Sequence, residues 1–355
     1  MVNLEAVRSA VSGLTQRPVT AVFVGATQGI GEYTLRALVN AAFSNSNGKN
    51  LSIYLVGRNA GLAEVVFADC RKICPEARFH FVKASDLSLL KDVDAAYEET
   101  LRLIRSASTP GATPSIDLLV MTQGGLYLGP RNETKEGLDL GMALHYYSRA
   151  RFIDQLLPLL TAGDRAAHVI SVYAAGMETK LFEDDPDLRK PGHYSFDGAR
   201  SHVVHMKTMY FEMLARSYPG KLSLTHVFPG LVITPAFDSP ERPWWFRLIW
   251  KVSSPFARFM ATPAEECGLR LLYFATDHYP AASSQGFKQS DDVALGTDGL
   301  PGSGAYACDG KGEPVSGKKM QEKYGGARRA ELRDMLNNHT KRVFDDIEGQ
   351  GSFKG

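Results

Sequence analysis

Cysteine is scarce in this sequence: the 355 residues include only Cys70, Cys74, Cys267 and Cys308. These four form no Cys-x2-Cys pair and show no metal-ligand spacing with histidine, so we predict no metal site. Few cysteines in no paired pattern favour buried thiols in a reducing compartment, and we expect the protein in the cytoplasm.

Long apolar runs and a strong charge of one sign are also lacking. No uninterrupted apolar stretch approaches the roughly 18 residues that cross a bilayer, and the first residues lack the pattern of a secretory signal. The net charge of +1 gives no reason to propose a nucleic acid as a partner. The apolar content of 44% is ample for a large core.

The chain is organised around a strand, a glycine turn and a helix. Residues 20–24 are mostly branched or aromatic and predict a strand buried on both faces. Gly25, Gly29 and Gly31 follow at once, and residues 32–43 carry apolar side chains at helical spacing. In this context the glycines allow a tight turn and a close backbone approach, while the helix N-terminus attracts a pyrophosphate. We predict a dinucleotide site here; the alternative is a glycine-rich turn without a ligand.

The end of the second predicted strand, which starts at residue 51, bears on the choice of cofactor. An acid there would bind both ribose hydroxyls of NAD, whereas this chain offers Arg58, followed by Asn59. A guanidinium suits the 2′-phosphate of NADP, so we predict NADP(H). The alternative is an ordinary surface arginine.

Four more strands are predicted at residues 78–84, 116–121, 168–173 and 222–228, with helices between them. This alternation predicts an α/β fold, a Rossmann-type doubly wound parallel sheet whose ligands bind beyond the carboxyl ends of the strands. Asp86 follows the third strand, where its carboxylate could accept from the adenine amino group, cap the helix predicted over 88–105, or do both.

These segments together resemble the short-chain dehydrogenase/reductase family over about residues 18–235. The matching elements are Gly25-x3-Gly29-x-Gly31, Asp86, Gln123-Gly124-Gly125 at the family's Asn-Ala-Gly element, and Pro229-Gly230 with Thr234. The resemblance implies a nicotinamide cofactor, with its pyrophosphate at the first element and its nicotinamide at the last. The other cofactor contacts predicted are Thr27, Gln28, Ile30, Arg58, Asn59, Leu87 and Val232. The segment after His226 and the long C-terminal region look most like fungal members that tailor secondary metabolites.

The resemblance breaks at the catalytic residues. The family uses a tyrosine with a lysine four residues later, a serine and an asparagine, but none of the 14 tyrosines here is followed by lysine at that distance. Counting from neighbouring motifs gives the residues that stand at the family's catalytic positions. The family's tyrosine position falls near Arg200, its lysine position near Val204, its serine position on Tyr173 and its asparagine position on His145. All four standard positions are therefore predicted to be replaced.

Substitute groups are present near these positions. Tyr173 ends the fifth strand and could donate a proton, although it could equally pack the pocket wall. His145 lies on a helix predicted over 133–160 and could act as acid or base, or sit as a satisfied core histidine. Tyr194 could reach in from an insertion loop, and Ser171 lies on the same side of its strand as Tyr173. Lys207, one turn beyond the lysine position, is a weak replacement.

The predicted domain organisation is a leading helix over 1–18, a main domain over 19–280 and a loop-rich extension over 281–355 that ends in a helix. Within the main domain, residues 178–198 form an insertion and residues 236–262 an aromatic lid. All three tryptophans, Trp244, Trp245 and Trp250, lie in that lid. Three interpretations stay open: cover for a bulky apolar substrate, a homodimer contact, or an amphipathic helix at a membrane surface.

The leading hypothesis is an NADP(H)-dependent oxidoreductase acting at a carbonyl or secondary alcohol of a polyketide-like or terpenoid-like substrate in a biosynthetic pathway. One alternative keeps the fold but performs isomerase, cyclase or dehydratase chemistry. Another is a cofactor-binding protein without catalysis.

Overall fold

The computed structural model describes residues 2–109, 111–238, 243–283, 292–315 and 324–355. Within these ranges the strands form one parallel sheet in the order β3-β2-β1-β4-β5-β6-β7. The strands are β1 (Val19–Val24), β2 (Leu51–Gly57), β3 (Arg78–Lys83), β4 (Leu118–Met121), β5 (Ala167–Val172), β6 (Leu222–Phe228) and β7 (Ala305–Asp309). This order reverses between β1 and β4, as in dinucleotide-binding folds, and confirms the predicted fold class.

Helices connect the strands. They are α1 (Leu4–Leu14), α2 (Ile30–Ser44), α3 (Ala60–Ile73), α4 (Leu90–Ala107), α5 (Leu140–Met142), a π-helical segment (Ala143–Tyr147), α6 (Ser148–Leu160), α7 (Phe196–Ser217), α8 (Trp244–Met260), α9 (Ala264–Tyr273) and α10 (Gly326–Gln350). The side chains of β1 alternate between two hydrophobic cores. Val22 and Val24 pack in one core, and Ala21 and Phe23 pack in the other. The first strand is thus buried on both faces, as its composition predicts.

Two predicted boundaries are wrong. The central helix starts at Leu140, not at Glu133, because Glu133 instead forms an antiparallel bridge with Asp139. Asp139 then caps the helix by accepting from the Met142 amide at 3.0 Å. The second correction is β7, which lies in a stretch predicted to be loops. It is only five residues long and stands among glycines, so no periodic pattern marks it.

The C-terminal segment is built into the main fold. β7 pairs with β6 and completes the sheet, so the sheet crosses the boundary predicted at residue 280. Arg329 of α10 forms a buried ion pair with Glu212 of α7, its Nε lying 3.1 Å from Oε2. Further along α10, the His339 ring bonds the Tyr147 hydroxyl at 2.9 Å. The C-terminal helix therefore braces both α7 and the π-helical segment.

The insertion over 178–198 contains no strand, and helix begins in it only at Phe196. Its turns are fixed by the Asp185 carboxylate, which accepts from the amides of Arg189 and Lys190 at 2.9 Å each. His202 of α7 accepts from the Phe182 amide at 3.0 Å. The insertion is therefore ordered by its own hydrogen bonds and seated on α7.

All four cysteines are buried and form no disulfide, as predicted. Burial raises the pKa of the Cys70 thiol to about 11 and those of Cys267 and Cys308 to about 12. These thiols stay protonated at neutral pH. In the described ranges, no helix combines the length and apolar character needed to cross a membrane.

Candidate active site

The glycine turn between β1 and α2 lies at the carboxyl edge of the sheet. Gly25 has φ +86°, and a Cβ there would lie 2.6 Å from the backbone nitrogen of Gln123. A Cβ on Gly31 would lie 2.4 Å from Thr122 Oγ1. Packing between the turn and the loop after β4 therefore requires both glycines.

The N-terminus of α2 is left open by Gly29, which has φ +68° and offers no side chain to cap the first amides. A Cβ on Gly29 would lie 3.1 Å from the Thr234 side chain. Tyr33 of α2 donates to the Ile233 carbonyl at 3.3 Å. The segments predicted to hold pyrophosphate and nicotinamide thus meet at one helix N-terminus, which is an anion-binding arrangement.

The remaining predicted cofactor residues lie around this edge. Gln28 and Arg58 are exposed, Thr27 and Ile30 are half-buried, and Leu87, Gln123 and Val232 are buried. The Oε1 atom of Gln123 has no hydrogen-bond partner among the described residues.

Gly124 has φ +138° and leaves room for the His145 ring, whose Nε2 would lie 2.3 Å from a Cβ there. Gly125 lines a cavity, and Gly230 has φ +73° at the turn after β6.

Two further predicted cofactor residues, Asn59 and Asp86, hydrogen-bond to the protein itself. The Asn59 side chain accepts from the Leu62 amide at 3.0 Å and caps α3. The capping role predicted for Asp86 is wrong: its carboxylate accepts from Ser88, and α4 begins only at Leu90. The first amides of α4 donate instead to the Glu136 carboxylate, at 2.6 Å from Leu90. Asp86 itself is exposed.

A cavity of about 160 Å³ lies beside this edge. Its walls are mostly aromatic and apolar. They are formed by Gly125, Leu126, Tyr127, Asp139, Gly141, Met142, His145, Tyr173, Ala174, Met177, Tyr194, Phe196, Ala199, Arg200, Val203 and Phe228. The predicted residues Tyr173, His145 and Tyr194 are therefore brought together. No described residue of α8 lines the cavity.

Tyr173 stands between two histidine rings on the cavity side of β5. Its ring centroid lies 4.1 Å from that of His145 and 6.5 Å from that of His226, and both pairs are stacked. His226 Nε2 accepts from the Ala174 amide at 3.2 Å, so this nitrogen carries no proton. Burial, the Arg149 charge and the Lys207 charge hold the pKa of His145 well below its usual value. These surroundings keep the His145 ring neutral.

Arg149, a residue that the sequence analysis did not single out, is a fully buried cation beneath the stack. It donates to carbonyl oxygens of Met121 at 3.2 Å and Val172 at 2.7 Å, and to Ser171 Oγ at 2.9 Å. Burial lowers the pKa of Arg149 to about 9, so the guanidinium is charged at neutral pH. Arg149 ties the ends of β4 and β5 together. Its position one turn after His145 is the signal that could have found it.

Lys207 of α7 is buried on the other side of Tyr173. Its ammonium lies 5.3 Å from the centroid of the Tyr173 ring, and Nζ has no hydrogen-bond partner among the described residues. Burial, followed by the Arg149 charge, holds the pKa of Lys207 well below its usual value. Burying an amine without a hydrogen bond raises the free energy of the folded state, so a ligand that bonds this nitrogen would be favoured.

The positions predicted for the family's tyrosine and lysine, Arg200 and Val204, both lie on α7. Val204 is buried and does not line the cavity, whereas Arg200 and Val203 do. Lys207 follows Val203 by four residues, so both lie on the same face of α7. Arg200 pairs with Asp197 at 2.7 Å.

Ser171 and Tyr194 differ in their access to the cavity. Ser171 is fully buried, bonded to Arg149, and does not line the cavity. Tyr194 lines the cavity, and burial, followed by the charge of Asp139, raises its pKa. The insertion therefore contributes one wall through Tyr194.

A doubly wound sheet with a glycine turn at its switch point and an aromatic, apolar cavity beyond the ends of the neighbouring strands is typical of dinucleotide-binding oxidoreductases. The chain is 39% identical over 358 residues to Short-chain dehydrogenase/reductase SAT2 of Stachybotrys chartarum, covering 98% of each. It is 36% identical over 354 residues to Oxidoreductase AN1596 of Emericella nidulans, covering 97% of this chain and 98% of that protein. The chain belongs to the short-chain dehydrogenase/reductase family and is an oxidoreductase of that type.

Similarity to solved structures agrees with this fold. L-Sorbose reductase from Gluconobacter frateurii, solved with NADPH and L-sorbose, superposes with a TM-score of 0.54 at 16% identity, covering 84% of this chain and 97% of that one. No protein-family model matches the chain. The predicted resemblance to fungal members is confirmed, since both curated relatives are fungal proteins.

Proposed function

We propose that this protein is an NADP(H)-dependent reductase or dehydrogenase that acts at a carbonyl or secondary alcohol of a bulky apolar substrate. The observation that carries the proposal is the Tyr173 phenol on the cavity wall, flanked by neutral histidines and the unpartnered Lys207 amine. Tyr173 would thereby present a proton donor to the cavity just beyond the end of β5.

The residues at the sheet edge fit a dinucleotide. The open N-terminus of α2 at Gly29 suits a pyrophosphate, and Arg58 after β2 suits a 2′-phosphate. Lys83, the last residue of β3, is the register partner of Gly57, so a second cation stands at the neighbouring strand end. L-Sorbose reductase, which shares the fold, binds NADPH. When bound, the nicotinamide would supply or accept the hydride.

Tyr173 would hold the substrate oxygen and pass a proton to it. Burial raises the pKa of Tyr173 to about 12, while the Arg149 charge lowers it, so the phenol is protonated at neutral pH. A protonated phenol can donate to a carbonyl oxygen as negative charge develops there. Arg149 places a buried cation near that charge.

Lys207 would take the place that the family gives to its lysine. Its free amine could bond a ribose hydroxyl of the cofactor, which would satisfy the buried nitrogen. Val203, four residues before it, then holds the place of the family's tyrosine. This arrangement would move the proton donor from α7 to Tyr173 at the end of β5.

The cavity fits the reacting end of a substrate. Its volume of about 160 Å³ is below the roughly 300–1,000 Å³ of pockets that enclose a whole ligand. Aromatic walls would grip a flat ring that bears the ketone or hydroxyl. The remainder of a polyketide-like or terpenoid-like molecule would then lie outside.

The cofactor assignment predicts a selective loss of NADPH affinity in Arg58→Ala. Losing a charge-assisted bond to the 2′-phosphate is expected to weaken NADPH binding about 10–100-fold and leave NADH binding unchanged. Fluorescence titration measures both affinities, and Arg105→Ala, an exposed arginine on α4, is the matched control. Equal affinity of wild type and Arg58→Ala for NADPH would remove the phosphate assignment.

The proton-donor assignment predicts an unusual pH profile. The acid form of Tyr173 is present below its pKa of about 12 and is lost as the pH rises through that value. We therefore expect kcat/KM for ketone reduction to show no loss from this group near pH 10, where a solvated tyrosine would deprotonate. Initial rates with a panel of hydrophobic ketones measure the profile. A decline centred near pH 10 would contradict a buried donor.

Consumption of NADPH separates the proposed reaction from the alternatives. Ultraviolet absorbance with hydrophobic ketones should fall as product forms. Substrate conversion at constant absorbance would instead support isomerase, cyclase or dehydratase chemistry. Binding of NADPH without conversion of any ketone or alcohol would favour a non-catalytic role.

A further inference from the structure

Helix α8 carries most of its apolar side chains on the face that points away from the rest of the protein. None of its residues is buried, and Trp244, Phe256 and Phe259 are 76%, 74% and 91% exposed. The partly buried positions, 246, 250, 253, 254 and 257, fall on the opposite side of the helix. A substrate cover would direct its aromatic face inward, whereas α8 directs it to solvent.

The inner side of α8 contacts the segment that precedes the helix. The Trp250 ring stacks on Phe237 with centroids 4.5 Å apart, and its Nε1 donates to Asp238 at 2.9 Å. Trp250 therefore lies on the side of α8 that faces the preceding segment, opposite the exposed apolar face. Residues 239–242, part of the predicted lid, lie outside the described residues.

The charges of α8 are all positive. Arg247, Lys251 and Arg258 follow at spacings of four and seven, which places them along one edge of the apolar face. The helix contains no acidic residue, although the whole chain has 40 basic and 39 acidic residues. An apolar, tryptophan-bearing face with a cationic edge matches a surface of anionic lipid headgroups above acyl chains.

We propose that α8 is an interfacial anchor that docks this protein on an anionic phospholipid membrane. The helix, roughly 25 Å long at its 17 residues, lies in the plane of the membrane with Trp244, Leu248, Val252 and Phe256 entering the acyl boundary. Its cations contact lipid phosphates. The charges favour lipid over a second copy of the chain, because two such helices bring six cations and no acid to a shared interface.

The three tryptophans make the test specific, because all of them lie on α8 and tryptophan emission therefore reports on this helix. The full chain is titrated with vesicles of phosphatidylcholine alone, or of phosphatidylcholine and phosphatidylserine in equal parts. We expect a blue-shifted emission and sedimentation with the mixed vesicles, weakened by salt, and much weaker binding to phosphatidylcholine alone.

Two helix variants and one control complete the experiment. Arg247→Gln/Lys251→Gln/Arg258→Gln should bind mixed vesicles about a hundredfold more weakly. Leu248→Ser/Phe256→Ser should abolish the emission shift, in the folded protein as judged by circular dichroism. Phe43→Ser/Leu300→Ser, which removes apolar residues that are 58% and 60% exposed elsewhere, should bind like wild type.

Wild type that neither sediments with mixed vesicles nor shifts its emission would overturn the proposal. Equal, salt-independent binding to both vesicles would overturn the role of the cations. A concentration-dependent dimer that the helix variants dissociate, without vesicle binding, would assign the face to a second copy. NADPH oxidation is measured in parallel, so failure of the anchor is distinguishable from failure of the redox function.

Discussion

Phenylalanine at position 173 is expected to lower the turnover of ketone substrates by about 10²–10⁴-fold, the usual contribution of a general acid. The substitution keeps the ring that stacks between His145 and His226 and removes only the phenolic O–H. The affinity for NADPH should stay unchanged, because the substitution removes the proton donor to the substrate and no proposed cofactor contact. Single-turnover kinetics with NADPH absorbance measures the chemical step directly.

Tyr194→Phe is the matched control for this prediction. Tyr194 also lines the cavity, beside the Asp139 carboxylate. We expect the turnover of Tyr194→Phe to stay within about threefold of wild type, because this phenol is not the proposed proton donor. Full turnover in Tyr173→Phe would contradict the assignment of Tyr173 as the proton donor. A large loss in Tyr194→Phe alone would instead assign the proton donor to Tyr194 of the insertion.

Arg329→Met is expected to destabilise the fold by about 3–5 kcal/mol, because it leaves the Glu212 carboxylate buried without its cation. The side chains of both residues are less than a tenth exposed, and Thr297 also donates to Glu212. The pair joins α10 to α7, the helix that carries Lys207. Urea denaturation followed by circular dichroism measures the free energy of unfolding.

The neighbouring residue supplies a control for the ion pair. Arg328 pairs with Glu183 and Glu331 at the surface, so Arg328→Met should cost at most about 1 kcal/mol. Glu212→Leu/Arg329→Met removes both charges and should recover much of the stability lost in Arg329→Met. Equal destabilisation by Arg328→Met and Arg329→Met would show that α10 is not anchored by this pair.

The sheet and the glycine turn could be predicted from sequence because their signals are local. Six of the strands are rich in apolar residues and bounded by turns, and the helical spacing after Gly31 is periodic. β7 has neither feature, since its five residues depend on pairing with β6. Gly137, with φ +80°, and the Glu133–Asp139 bridge delay the central helix in a way that apolar spacing does not show.

The candidate site was predicted less completely because its residues come together through tertiary packing. Tyr173 and Tyr194 could be found from their places beside a strand end and in an insertion. Lys207 lies one turn beyond the position predicted for the family's lysine; counting back from Pro229 assumes a fixed length between α7 and β6, and an error of one turn would change the helix face. Arg149 contradicts the expectation that a buried cation has a carboxylate partner, since its bonds are mostly to carbonyl oxygens.

The most direct measurement is calorimetric titration of the full chain with NADPH and, separately, with NADH. We predict saturable binding of NADPH, tighter than that of NADH. The absence of binding heat and of competition for either dinucleotide would contradict the central claim and leave the glycine turn as a packing feature alone.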